Sequence, residues 1–135
     1  MTVPPASTQA STGLAPNVAG ALAYVLGPIT GIVFLVLEKD SRFVRFHAVQ
    51  SIGVGVVLIA ISIALSIFSS ILMFVPILGW IIALLASMGL AIVSFILWLL
   101  LMLKAFQGKE WELPVVGVYA RRYADSIPAS SGDLR

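Results

Sequence analysis

The sequence predicts an all-α integral membrane protein: three transmembrane helices, the first kinked and followed by a short amphipathic interfacial segment. Three observations predict it. Hydrophobic residues make up 60% of the chain and charged residues only 10%, where a soluble domain averages about 25% charged. Three uncharged stretches are each long enough to cross a bilayer. The cations all fall on one side of the resulting three-span arrangement. The mean hydropathy of +1.08 agrees, and 135 residues allow one domain at most. A soluble globular enzyme has too little charge here to cover a water-facing surface. A net charge of +2 supplies no dense basic face, so no nucleic-acid partner is expected. The chain has no cysteine, which removes disulfides, thiolate nucleophiles and cysteine metal sites.

Residues 1–17, MTVPPASTQASTGLAPN, carry no charged side chain and read as a flexible, disordered tail. Val18 to Leu37 gives 20 uncharged residues, which at about 1.5 Å each match a hydrocarbon core roughly 30 Å thick. Gly27-Pro28 lies in the middle of this first span. Proline removes a backbone donor and clashes with the preceding turn, so a kink is expected there. A broken or re-entrant segment is the alternative.

Residues 38–47 then carry five formal charges, Glu38, Lys39, Asp40, Arg42 and Arg45, which end the first helix in the headgroup region. Written as a helix, this segment sets Phe43, Phe46, His47 and Gln50 on adjoining positions with Arg42 and Arg45 beside them. The phenylalanines would sink into the acyl boundary while the arginines meet phosphates. The bland reading is a loop that fixes topology. The functional one is a docking platform for a protein or lipid partner, with His47 and Gln50 selecting it.

The second and third spans are 49–75 and 77–103, each 27 residues without charge. Pro76 and Gly79 supply the turn chemistry of a tight hairpin. Trp80 and Trp98 fit interfacial anchors, with plain packing the alternative for Trp98. Residues 104–135 form an interfacial and disordered cytoplasmic tail, with Trp111, Tyr119 and Tyr123 against the interface. The cations are Lys39, Arg42, Arg45, Lys104, Lys109, Arg121, Arg122 and Arg135. In a three-span chain all of them share one face. Retention of cations in the cytoplasm predicts an inner-membrane, multi-pass protein with its N-terminus outside and its C-terminus cytoplasmic.

In lipid, helices associate through small residues and polar contacts. Gly79, Ala83, Ser87 and Ala91 form such a stripe on the third span, and Ser62, Ser66 and Ser70 form another on the second. Gly27 and Gly31 form a third contact on the first. Plain helix packing is the simple reading, and a polar track along the serines the functional one. No Asp, Glu, Lys or Arg lies inside a span, which argues against proton pumps, ion-coupled transporters and intramembrane proteases. No catalytic motif is present, and one histidine cannot build a multi-histidine metal site. Neither enzymatic activity nor a cofactor is expected.

Two stretches carry a resemblance. LAYVLGPITGIVFLVLEKDSRFVRFHAVQSI, with Gly27, Pro28, Gly31, Glu38-Lys39-Asp40 and the run Phe43 to Ser51, resembles the core motif of small prokaryotic membrane proteins. These are grouped with the Tic-twenty component of chloroplast import and with MamF-type magnetosome proteins. Gly108 to Gly117 resembles the G-x-x-aromatic-x-x-P-x-x-G ending of that group. The resemblance implies a multi-helix membrane protein, sometimes a component of import or organelle assembly, with no agreed catalytic residues. The expected function is a non-enzymatic scaffold or assembly component. A small transport or protein-conducting subunit is the alternative. Membrane lipids and a homo- or hetero-oligomer are the expected partners.

Overall fold

The computed structural model describes residues 10–126. The disorder expected for 1–9 and 127–135 lies outside them. The described residues form five helices: α1 (Pro16–Leu22), α2 (Pro28–Leu37), α3 (Arg42–Leu72), α4 (Leu78–Phe106) and α5 (Val116–Ser126). Two of these, α3 and α4, are long and apolar enough to cross a membrane. They form the expected hairpin, closed by residues 73–77. Gly79 sits under that turn with no room for a side chain, because a Cβ there would run into the Leu72 carbonyl. Turn closure rather than interhelical packing is therefore what this glycine serves.

The first expected span is not one helix. Gly27 adopts φ +60° and ψ −129°, a conformation that favours glycine, and Pro28 opens α2 as a residue that needs no donor. The break leaves the Ala23 carbonyl without a helical partner, while Gly27 O keeps its bond from Gly31 N. The Thr30 hydroxyl donates to Ala23 O at 2.9 Å and Gly27 O at 3.2 Å. The Ser51 hydroxyl donates to the same two oxygens at 2.8 and 2.9 Å. These bonds offset what a kinked helix would have kept, and the chain turns back on itself at the break.

The contacts trace that path. Asn17 donates to Phe106 O, Gly20 meets Phe43 and His47, and Trp98 donates to Tyr24 O at 2.7 Å. Pro28 then lies against Gly55, and Gly31 against Ala48, Ser51 and Ile52. Phe34 joins Ala10, Ala19 and Val44. So α1 runs down along the end of α4, and α2 climbs back along the start of α3. The ten residues of α2 rise about 15 Å, half a bilayer core. This is the broken segment of the alternative reading.

Two further features depart from the expected arrangement. Residues 10–17, expected in the flexible tail, form a turn and the start of α1. Ser11 N and Oγ bond the Glu38 carboxylate at 3.0 and 2.9 Å, and Ser11 Oγ also bonds Asp40. This segment and the first loop therefore share one end of the molecule, whereas three spans require opposite faces. Second, residues 42–50 are not a separate interfacial segment but the first turns of α3. Ser41 is the N-cap, its hydroxyl accepting from Val44 N. Glu38 accepts from Asp40 N and Ser41 N at 2.9 and 2.7 Å, which fixes the turn into that cap.

Candidate functional site

At the charged end of the hairpin, α1, the start of α3 and residues 109–113 enclose a polar network. Every donor in it has a determined direction. A carbonyl only accepts, so His47 Nε2 carries the proton and donates to Lys109 O at 3.1 Å. Its Nδ1 then accepts from the Tyr24 hydroxyl at 2.9 Å, which leaves the imidazole neutral and satisfied. Gln50 Nε2 donates to Tyr24 Oη at 3.2 Å and to Trp111 O at 3.0 Å. Its Oε1 faces Leu113 N at 3.4 Å. His47 and Gln50 are both fully buried and Tyr24 is 2% exposed.

Packing holds the imidazole in place. Phe43, Phe46 and Tyr24 meet it edge-on with centroids 4.5, 5.0 and 5.6 Å away. Gly20 lets α1 come close, since a Cβ there would lie 2.9 Å from Phe43 Cε1. Around this core runs a ring of charge. Arg42 pairs with Glu110 and, at 2.6 Å, with Asp125, while Arg121 pairs with Glu112 at 2.9 Å. These pairs tie α3 to α5 and to the segment preceding it.

The structure thus brings together Arg42, Phe43, Arg45, Phe46, His47 and Gln50, but not as an outward platform. Arg45, Phe46, His47 and Gln50 are buried. Phe46 packs against Ala120 and Ala124 of α5 rather than acyl chains. Arg45 donates to Lys39 O at 2.9 Å rather than to a phosphate. Arg42 and Phe43 are half-buried, and two carboxylates hold Arg42. The groups expected to select a partner bind the chain's own backbone at Lys109 and Trp111. The physical reason is α5 and the segment before it, which cover the face that α3 would otherwise offer to lipid.

Of the residues expected to pack helices, Gly31 does so, since a Cβ there would lie 2.9 Å from Ala48 O. Gly27 and Gly79 shape turns. Ala83, Ser87 and Ala91 line, with Ser62 and Ser66 of α3, a groove of about 630 Å³ between α3 and α4. Parts of the two stripes border this groove, but Ser70 and Gly79 do not line it. Ser62, Ser66 and Ser70 each donate to the carbonyl four residues earlier at 2.8 Å, so these hydroxyls reach back to α3 itself. Sequence reasoning missed Tyr24, Glu38, Ser51 and Trp98 as members of the polar end. Tyr24 stood inside an apolar run, where its hydroxyl was the available signal. Among the described residues, no three His, Cys, Asp or Glu side chains are grouped to hold a metal ion.

An apolar two-helix hairpin, closed at one end by the broken α1–α2 segment and a buried polar network, defines a small helical membrane protein. The chain belongs to the magnetosome magnetite crystal formation protein family, whose pattern matches residues 10–119. It is 44% identical to a UPF0132 membrane protein of Methanocaldococcus jannaschii over 116 residues, covering 86% of this chain and 94% of that protein. A UPF0132 membrane protein of Archaeoglobus fulgidus is 46% identical over 111 residues, covering 82% and 97% respectively. No solved structure matches. These likenesses support the MamF side of the resemblance and a small membrane family without an assigned role; they do not carry the Tic-twenty side.

Proposed function

We propose that this protein is a non-enzymatic membrane component, a scaffold or assembly partner that works as an oligomer. One observation carries the reading: the groove of about 630 Å³ between α3 and α4, which the chain's own side chains leave unfilled. Small residues along such a face suit close approach by another transmembrane helix. The magnetite task in the family's description gains no support from a metal-ligand cluster in the described residues of this chain. Crosslinking tests the reading. The chain has no cysteine, so Ser87→Cys introduces a single reactive thiol in the groove. A disulfide-linked dimer or a reproducible protein adduct in intact membranes supports it; a thiol that captures only lipid analogues overturns it.

The proposed orientation has two spans and a re-entrant hairpin in the inner membrane. Residues 10–17, the 38–41 turn and residues 107–126 all face the cytoplasm. It follows from seven cations gathered at the end where Ser11 also lies. Thiols placed at Ser11 and Gln107 are then labelled together in inside-out vesicles and protected together in intact cells. Labelling on opposite faces restores the three-span topology.

A second reading is a small transport subunit. Ser94 lines both the large groove and a cavity of about 110 Å³ beside Tyr24, Gly27 and Ser51. The two spaces therefore border one another at Ser94, near the break at Gly27. Solute flux in liposomes that is abolished by Ser94→Leu favours this reading over the scaffold.

A further inference from the structure

The flank of the hairpin where α5 meets α3 holds a second groove, of about 340 Å³. Gly53, Val56 and Val57 of α3 form one wall, and Val116 and Tyr119 of α5 the other. We propose that this groove seats one anionic phospholipid, an acyl chain lying along the valines and its phosphate meeting Tyr119 and Arg122.

The direction of α5 sets the geometry. Val116 lies against Gly53, where a Cβ would come within 2.6 Å of Val116 Cγ1. Ala120 and Ala124 lie against Phe46, and Asp125 reaches Arg42. The helix therefore climbs antiparallel to α3, away from the apolar flank and toward the charged end. Its buried face is small, made of Gly117, Ala120 and Ala124. That leaves Tyr119 63% and Tyr123 40% exposed along the side that borders the groove. Arg122 stands three residues beyond Tyr119, about 4.5 Å higher along the helix and on its outward face, opposite Ala120. At the lower end Val56 and Val57 are exposed, so the groove opens onto the apolar flank.

Charge selects the occupant. Arg42 is held by Glu110 and Asp125, and Arg121 by Glu112. Arg122 is exposed and has no ion-pair partner among the described residues. An apolar slot topped by a phenol and an uncommitted guanidinium matches a lipid chain topped by a phosphate, which a guanidinium binds in bidentate fashion. A second transmembrane helix would satisfy the valines and leave that cation unmatched.

The test uses the full chain in nanodiscs of equal parts phosphatidylglycerol and phosphatidylcholine with identical acyl chains, read by native mass spectrometry. Phosphatidylglycerol should be retained about five-fold over phosphatidylcholine, the enrichment that one arginine at a membrane surface provides. Arg122→Gln should return the ratio to that of the bulk lipid. Val57→Trp, which fills the slot and keeps the cation, should do the same. Arg121→Gln, removing a cation already paired, should leave the enrichment intact. The proposal is overturned if the native chain shows no enrichment or if Arg122→Gln retains it. Equal loss in Arg121→Gln, or capture of a second copy by a thiol at position 57, overturns it as well.

Discussion

The two ends of the α3–α4 hairpin are built on opposite rules. Around His47, buried polar groups are joined in a directed network and α1, α2 and α5 crowd close. Between Val56 and Phe95 the same two helices expose nearly all their large side chains and leave a groove between them. The difference teaches where specificity is stored. In the packed end a lost partner leaves a polar group stranded, which costs more than the bond contributed. In the apolar half, lipid is as good a neighbour as leucine, so little holds the two helices together until another surface arrives.

The largest expected effect breaks the packed end directly. Gln50→Leu strands Trp111 O and Leu113 N and takes one of two partners from the Tyr24 hydroxyl, and should cost about 2–4 kcal/mol, seen as a lower unfolding midpoint in detergent. Gly31→Val comes next. Its side chain must enter the space beside Ala48 O, and overpacking of that kind costs about 1–3 kcal/mol. It should also detach α2, read as new protease sensitivity between Leu37 and Arg42. Tyr24→Phe removes one hydroxyl and leaves His47 Nδ1 without its donor, a loss of about 1–2 kcal/mol that a neutral-histidine NMR shift would report alongside stability. The smallest effect sharpens the other side of the comparison. Replacing Ser62, Ser66 and Ser70 together with alanine should move stability by less than about 0.5 kcal/mol, because their hydroxyls bond only to backbone of α3. A large loss there would show that the groove is filled by polar contacts after all.

Much of this was legible in advance. The α3–α4 hairpin follows from two long uncharged runs and from Pro76 and Gly79 between them. The unusual content of residues 42–50 also marked the important segment. Its direction was not legible. Helical spacing grouped Phe46, His47 and Gln50 on adjoining positions, but whether that face meets lipid or protein depends on α5, seventy residues away in sequence. Gly27-Pro28 marked a disturbance without saying whether the chain continues or returns. That was decided by Ser51 and Thr30, which satisfy the Ala23 carbonyl freed by the break.

Composition and charge placement alone determined that the chain is helical, apolar and polarised, because a low-dielectric solvent admits only backbones that satisfy themselves and keeps cations at its edge. Tertiary structure alone decided that residues 18–37 fold as two helices that turn back on each other rather than as one. A 20-residue apolar run fits a bilayer equally as one span or as a descending and returning pair. Only the partners waiting at Gly55, Ala48 and Trp98 made the second arrangement the one that buries its polar groups.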